Sequence, residues 1–257
     1  MKQWARFQYH SDQQIGFGLL QGESIAEYTG DLFGECKPTG NSVALADCTL
    51  LSPCVPSKFI GLWNNFHALA AKIEKAEPSH PLYFIKASSA LAGQGDTIRR
   101  PRHYQGKIFY EGELGIVIGR KCKEVTEQQA GDHIFGYTCV NDVTAAEHFN
   151  ETRDFEQWTR AKSYDTFGVI GPVIATGVDV SALRVVTRLD GVERQNYPVA
   201  DMIFSPAQIV SRISQDMSLL PGDVIACGTS LGVGSMKPGA RVEVSIAGIG
   251  TLANVLG

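Results

Sequence analysis

Tyr110-Glu111-Gly112-Glu113-Leu114-Gly115-Ile116-Val117-Ile118-Gly119 is the stretch on which the reading of this chain turns. Leu114, Ile116 and Ile118 alternate with the residues between them, the period of a strand whose side chains point to opposite faces. On that period Glu111 and Glu113 share a face, roughly 6.6 Å apart along a strand that rises about 3.3 Å per residue. Two carboxylates side by side on a core strand repel each other and are costly to desolvate. A divalent cation would remove the conflict; so would an edge strand that leaves this face in water.

Working outward, residues 134–140 form a second apolar strand that ends at Asn141-Asp142-Val143-Thr144. A carboxylate at the end of such a strand can face a cleft, or it can cap a helix over residues 143–149. With Glu111 and Glu113 it makes three hard oxygen donors, a set suited to Mg²⁺, Mn²⁺ or Ca²⁺ rather than zinc. Downstream, Arg160 and Lys162 project from one face if residues 158–162 are extended. A lysine beside a metal-bound enolate or carboxylate could stabilise developing negative charge; the plainer role is a surface ion pair.

Upstream, residues 59–62 read as a strand and Asn64 to Lys75 as a helix, with Ala68, Ala70 and Ala71 as strong formers and Pro78 beyond its end. His67 falls in its first turn, as a half-buried surface histidine or as a reactive group. Residues 81–86 form another strand, followed by a loop over 87–96. Residues 1–55 read as a small N-terminal β region with strands near 4–9, 15–20 and 24–28, a turn-rich stretch over 36–41, and Pro53 and Pro56 at its end. The main domain then spans 56–257. Asp190-Gly191 marks a hairpin, and Ser205-Pro206 caps a helix carrying Ile209, Val210, Ile213 and Met217 on one face. The strand over 224–227 delivers Gly228-Thr229-Ser230-Leu231-Gly232-Val233-Gly234. Its glycines let backbone N–H groups approach an anionic ligand, with Thr229 as an added donor, or they simply turn the chain. The loop lacks the Lys-Ser/Thr ending of a P-loop.

Composition bounds the rest. The 257 residues are 44% hydrophobic and 19% charged, enough for a sizeable core. A net charge of −4 gives no reason to expect a nucleic-acid or anionic-membrane partner. Residues 1–11 hold no apolar h-region, no run approaches a membrane span, and the six cysteines are scattered, so cytoplasmic location with reduced thiols is expected.

Several blocks appear in family order over residues 58–257. They are Glu-Gly-Glu-Leu-Gly-Ile-Val-Ile-Gly at 111–119, Gly-Tyr-Thr-Cys-Val-Asn-Asp-Val-Thr-Ala at 136–145 and Ala-Lys-Ser-Tyr-Asp-Thr-Phe-Gly at 161–168. Gly171-Pro172, Arg194-Gln195, Pro-Gly-Asp-Val-Ile at 221–225, Gly-Thr-Ser-Leu-Gly-Val-Gly at 228–234 and Gly-Ile-Gly-Thr-Leu at 248–252 join them. Together they resemble the fumarylacetoacetate hydrolase family. The resemblance implies a mixed, predominantly β fold, a β-roll or sandwich with a few short helices, and a cytoplasmic homodimer. It also implies a Mg²⁺ or Mn²⁺ site built from Glu111, Glu113 and Asp142, a catalytic Lys162, a catalytic His67 on a lid helix, and Thr229 with Gly228 holding the substrate carboxylate. The implied reaction is metal-dependent hydrolysis of a C–C bond in an acylpyruvate-type 2,4-dioxo acid, through a metal-stabilised enolate, in aromatic catabolism. The alternatives on the same site are a 2-oxo-diacid decarboxylase, an enol-keto isomerase or a weakly catalytic oxo-acid binder. Two positions depart from the pattern. Ala70 stands where hydrolytic members carry a glutamate three residues after the lid histidine, and Ala146-Glu147 stands where many members have Arg-Asp.

Overall fold

The computed structural model describes residues 1–152 and 154–257. The central strand Gly112–Ile118 is buried along its whole length because it is covered on both faces. Leu114, Ile116 and Ile118 point into one core with Val185, Val242, Val244 and Leu252. Val117 points the other way, into a second cluster with Trp4, Val140, Ile170, Ile174 and Val224.

That strand sits deep in a twelve-stranded sheet. Antiparallel pairing joins it to Ile134–Asp142 on one side and Val224–Ala226 on the other. Beyond Val224–Ala226 lie Phe59–Trp63, in parallel, and Leu82–Lys86 at one edge. In the other direction come Gly168–Thr176, then Lys2–Tyr9, Ile15–Gln21, Ser24–Gly30 and, at the far edge, Cys36–Ala44. The N-terminal strands thus extend the main sheet. Residues 36–41, read as turns, belong to a strand; Pro38 is tolerated there because the strand is an edge with no neighbour on its outer side.

A five-stranded sheet carries the Asp190-Gly191 hairpin between Arg184–Leu189 and Val192–Pro198. Both turn residues have positive φ, 50° and 77°, as the tight hairpin requires. Arg241–Ile246, Gly250–Leu256 and Thr97–Ile98 complete that sheet. A three-stranded sheet holds Thr144–Ala145, Ile108–Tyr110 and Gly234–Met236. The helix Pro206–Asp216 begins with Ser205 as cap and Pro206 at its first position, and buries Ile209, Val210 and Ile213. The fold is the predominantly β arrangement read from the sequence.

Three local readings change. The strand expected through residues 110–119 is broken at Glu111: Ile108–Tyr110 and Gly112–Ile118 lie in different sheets. Residues 143–149 form no α-helix for Asp142 to cap, being the short strand Thr144–Ala145 and a 3-10 turn, Ala146–Asn150. Trp158–Lys162 is helical, not extended. Arg160 and Lys162 therefore diverge. Arg160 is half exposed and pairs with Glu151, while Lys162 is buried.

Candidate active site

The break at Glu111 is what assembles the site. The Glu111 N–H donates to Asn141 Oδ1 at 3.0 Å, and the Asp142 N–H donates to the Glu111 carbonyl at 2.9 Å. Antiparallel register places Gly112 opposite Asn141, so residues far apart along the chain become adjacent across one strand pair. One carboxylate oxygen from each of Glu111, Glu113 and Asp142 lies within 4.8 Å of the other two.

Their surroundings are unequal. Asp142 is fully buried between two ammonium groups: Oδ2 accepts from Lys162 Nζ at 2.6 Å, and Oδ1 accepts from Lys86 Nζ. Burial alone would raise its pKa, but Lys162 and Lys86 overcome that and hold the carboxyl below its ordinary value. Glu111 accepts from Lys162 Nζ at 2.8 Å and from Thr144 Oγ1 at 2.5 Å. Glu113, with no exposed surface, faces no lysine within bonding distance. Its Oε2 accepts the Gly228 N–H at 2.8 Å, and its Oε1 has no partner among the described residues. Burial, then Asp142 and Glu111, push its pKa well up. Three carboxyl groups against two lysines leave Glu113 without a cationic partner, so without a metal it can ionise only at the cost of an unpaired buried charge. Hard oxygen donors, an orphaned buried oxygen and a third carboxyl with no lysine partner fit a divalent cation of the magnesium or manganese type.

Lys162 closes the helix Trp158–Lys162 and lines the cleft over the carboxylates. Burial works against its charge, but Asp142 and Glu111 outweigh it and hold the ammonium above the usual lysine range. Lys86 has no cleft-facing role in the sequence reading, yet it sits against the same aspartate. Burial is its largest influence and lowers its pKa, with Asp142 opposing. The signal was present: Phe84 and Lys86 are the buried positions of Leu82–Lys86, so Lys86 occupies an inward position of an edge strand.

The glycine loop supports this centre from behind. Gly228 spends its N–H on Glu113, at a φ of +88° that glycine adopts without strain. Thr229 lines the cleft, but its hydroxyl donates to the Gly112 carbonyl at 3.0 Å and accepts from Gln195 Nε2 at 2.9 Å. Gln195 also accepts the Gly112 N–H at 2.9 Å, tying loop to strand. Asn65 Nδ2 donates to the Cys227 carbonyl at 2.8 Å, and Asn65 Oδ1 accepts the Phe204 N–H. Gln195 and Asn65 are buried and polar, which sequence periodicity does not reveal.

His67 stands apart. It opens the short helix His67–Lys72, its side chain is 49% exposed, and its Nδ1 lies 2.6 Å from Glu77 Oε1. Leu69 of that helix lines the cleft; two residues earlier, about 200° around the helix, His67 faces another way. Ala70, at the position of the missing glutamate, is buried, and Glu77 meets the histidine from beyond the helix instead.

A family model described as Fumarylacetoacetate (FAA) hydrolase C-terminal matches residues 58–256. The chain belongs to that family. A second model, Rv2993c-like N-terminal, matches residues 2–53. Oxaloacetate tautomerase YisK of Bacillus subtilis is 35% identical over 215 residues, 79% of this chain and 70% of the relative. The crystal structure of 2-hydroxyhepta-2,4-diene-1,7-dioate isomerase from Mycobacterium marinum has a TM-score of 0.90 at 37% identity, covering 100% of this chain and 98% of its own. Maleylpyruvate hydrolase from Sphingobium sp. SYK-6, in complex with manganese(II) and pyruvate, has a TM-score of 0.79 at 27% identity, covering 100% of both chains. Family membership supports an enzyme here, and the acidic cluster agrees with a divalent metal. No helix among the described residues is long and apolar enough to cross a membrane.

Proposed function

We propose that the protein is a divalent-metal-dependent enzyme of 2-oxo acids that works by enolisation, interconverting keto and enol forms or shifting a double bond. The observation that carries this reading is the cluster of three carboxyl groups, of which Glu111 lines the cleft, joined there by Lys162, which bonds Glu111 and Asp142. Glu111, Glu113 and Asp142 would hold the cation. When bound, it supplies the Lewis acidity that draws electron density toward the oxygens of a chelating 2-oxo acid. Lys162 presents positive charge to the cleft without releasing its proton, and so stabilises negative charge on an adjacent oxygen. Lys86 holds Asp142 ionised and fixed. Gly228 orients Glu113. Enolisation moves one proton between the carbon beside the carbonyl and the enol oxygen, which water in the open cleft can accept and return. It needs no water activated as a nucleophile, which matches a cleft whose described lining does not include His67. The tautomerase and isomerase among the compared relatives support the same reaction class.

C–C hydrolysis of an acylpyruvate is the second reading. It is favoured by the contact of His67 with Glu77, since a histidine oriented by a carboxylate is the usual form of a general base for water. One experiment separates the two. Purified protein with Mg²⁺ or Mn²⁺, and with chelator as control, is given enol forms of 2-oxo acids and a panel of acylpyruvates, and products are identified. Enolisation predicts metal-dependent loss of enol absorbance without cleavage, unaltered by His67→Ala. Release of pyruvate and a second acid, lowered about 10²–10⁴-fold by the same substitution, would replace it with hydrolysis. No turnover of any oxo acid would refute both.

A further inference from the structure

The cleft beyond the carboxylates is walled by aromatic rings. Trp158 stacks on Phe84 with ring centroids 5.3 Å apart and 25° between planes, and meets Trp63 edge-on at 5.9 Å. Phe149 closes in at 4.6 Å from the Trp158 ring, and Leu69 and Ile73 complete an apolar wall around a volume of about 960 Å³. The Trp158 indole N–H is already donated to Glu156 Oε2 at 2.7 Å, so toward a ligand this residue offers ring surface.

Positive charge is scarce there. Among the described residues lining the cleft, the cationic side chains are Lys162 and Lys75. Lys162 is committed to Glu111 and Asp142. Lys75 is an exposed residue, so an ion pair with it in water is worth little, and Glu156 in the same lining would repel a second carboxylate. Ala146 adds none. Against the described lining, a second carboxylate on the substrate would leave water for aromatic walls and an exposed lysine, which is unfavourable. A phenyl or branched-alkyl group would instead exchange water for ring faces.

We propose that the substrate of this cleft is a 2-oxo acid whose tail is aryl or branched alkyl, not a second carboxylate. The proposal rests on the oxo-acid reading of the metal site and adds the recognition of the tail by Trp63, Phe84, Phe149 and Trp158. Specificity for apolar tails then distinguishes this chain from relatives named for diacids.

The test separates tail from head. N-benzyloxamate and N-oxalylglycine share a chelating oxamate head that mimics a 2-oxo acid and differ only in carrying a benzyl or a carboxymethyl tail. Each is titrated calorimetrically into the full-length protein loaded with Mn²⁺. N-benzyloxamate is expected to bind at least about tenfold tighter, the discrimination that apolar pockets give between tails. Trp158→Leu and, independently, Trp63→Ala should weaken N-benzyloxamate far more than N-oxalylglycine and so erase most of that preference; two variants guard against one disturbing the helix that carries Lys162. Equal or tighter binding of N-oxalylglycine, or a preference untouched by both substitutions, overturns the tail assignment while leaving the oxo-acid site standing. Binding of neither analogue overturns the oxo-acid site itself.

Discussion

Replacing Glu113 by glutamine probes the electrostatic core of the site without changing its shape. The amide oxygen of the new side chain can keep the bond from the Gly228 N–H, now 2.8 Å long, and its nitrogen can donate toward the neighbouring carboxylates, all within 4.8 Å. What disappears is a buried charge. Burial, Asp142 and Glu111 hold the Glu113 carboxyl well above its ordinary value of about 4.3, so the folded, metal-free chain retains a proton that the unfolded chain releases. As pH rises from about 4.3 through the raised folded value, the unfolded state is progressively favoured and metal-free stability falls. Asp142, raised by burial yet held low overall by Lys162 and Lys86, acts in the opposite sense: it contributes stability above about pH 3.9 and loses it as pH falls, so the two windows barely overlap.

A cation that satisfies Glu113 should stabilise the wild type by about 2.7 kcal/mol at a hundred times its Kd. For a chain of this size that is a rise in Tm of about 5–10 °C. In E113Q three differences should appear together in thermal melts across pH 5–9 with and without Mn²⁺. The metal-free Tm exceeds that of the wild type at neutral pH, its fall with pH in this window is lost, and the metal-induced rise shrinks to near zero. A wild-type Tm indifferent to Mg²⁺ and Mn²⁺, or an E113Q variant that responds to them as the wild type does, would refute the reasoning.

Two more substitutions divide binding from catalysis. Lys162→Met removes the cation over the cleft but leaves all three carboxylates, with Asp142 still paired to Lys86 and Glu111 to Thr144. Enolisation should fall about 10²–10³-fold, while the metal-induced rise in Tm persists in the same protein. Lys86→Met breaks one side of a buried pair; the metal-free protein should lose up to about 3 kcal/mol, less than a full pair because Lys162 remains on Asp142. With one positive charge fewer around the triad, calorimetry should show Mn²⁺ bound more tightly than by the wild type.

Much of the sheet was legible because its strands alternate or run apolar, and the strongest turn signals are conformational necessities. Asp190-Gly191 reads as a hairpin because both positions need positive φ, and Ser205-Pro206 starts a helix because one residue caps it and the other needs no N–H partner. Residues 158–162 were misread because five residues fit either period. Their helix is stabilised by where Lys162 and Trp158 end up, among partners from Leu82–Lys86, Ile134–Asp142 and the break at Glu111, not by their own propensity. Asn65 and Gln195 escaped for a related reason. Their bonds run to residues 162 and 83 positions away along the chain, and no local pattern reports a contact that distant.

The acidic triad shows where sequence periodicity succeeds for the wrong reason. A continuous strand through residue 111 would have placed Glu111 and Glu113 side by side on one face, the geometry that first suggested a cation. The chain instead changes sheets at Glu111, so that its backbone bonds to Asn141 and Asp142 and its side chain turns toward Lys162. Glu113 remains in the core sheet, where, among the described residues, the Gly228 N–H is its hydrogen-bond partner. The two glutamates converge because the strand breaks. The break brings in Asp142, and Asp142 brings in Lys86 and Lys162. A regular strand could offer a cation two oxygens along one edge; the interrupted one gathers three from around a point and leaves one buried oxygen of Glu113 unmatched. That unmatched oxygen, more than the count of acids, is what a bound cation would satisfy.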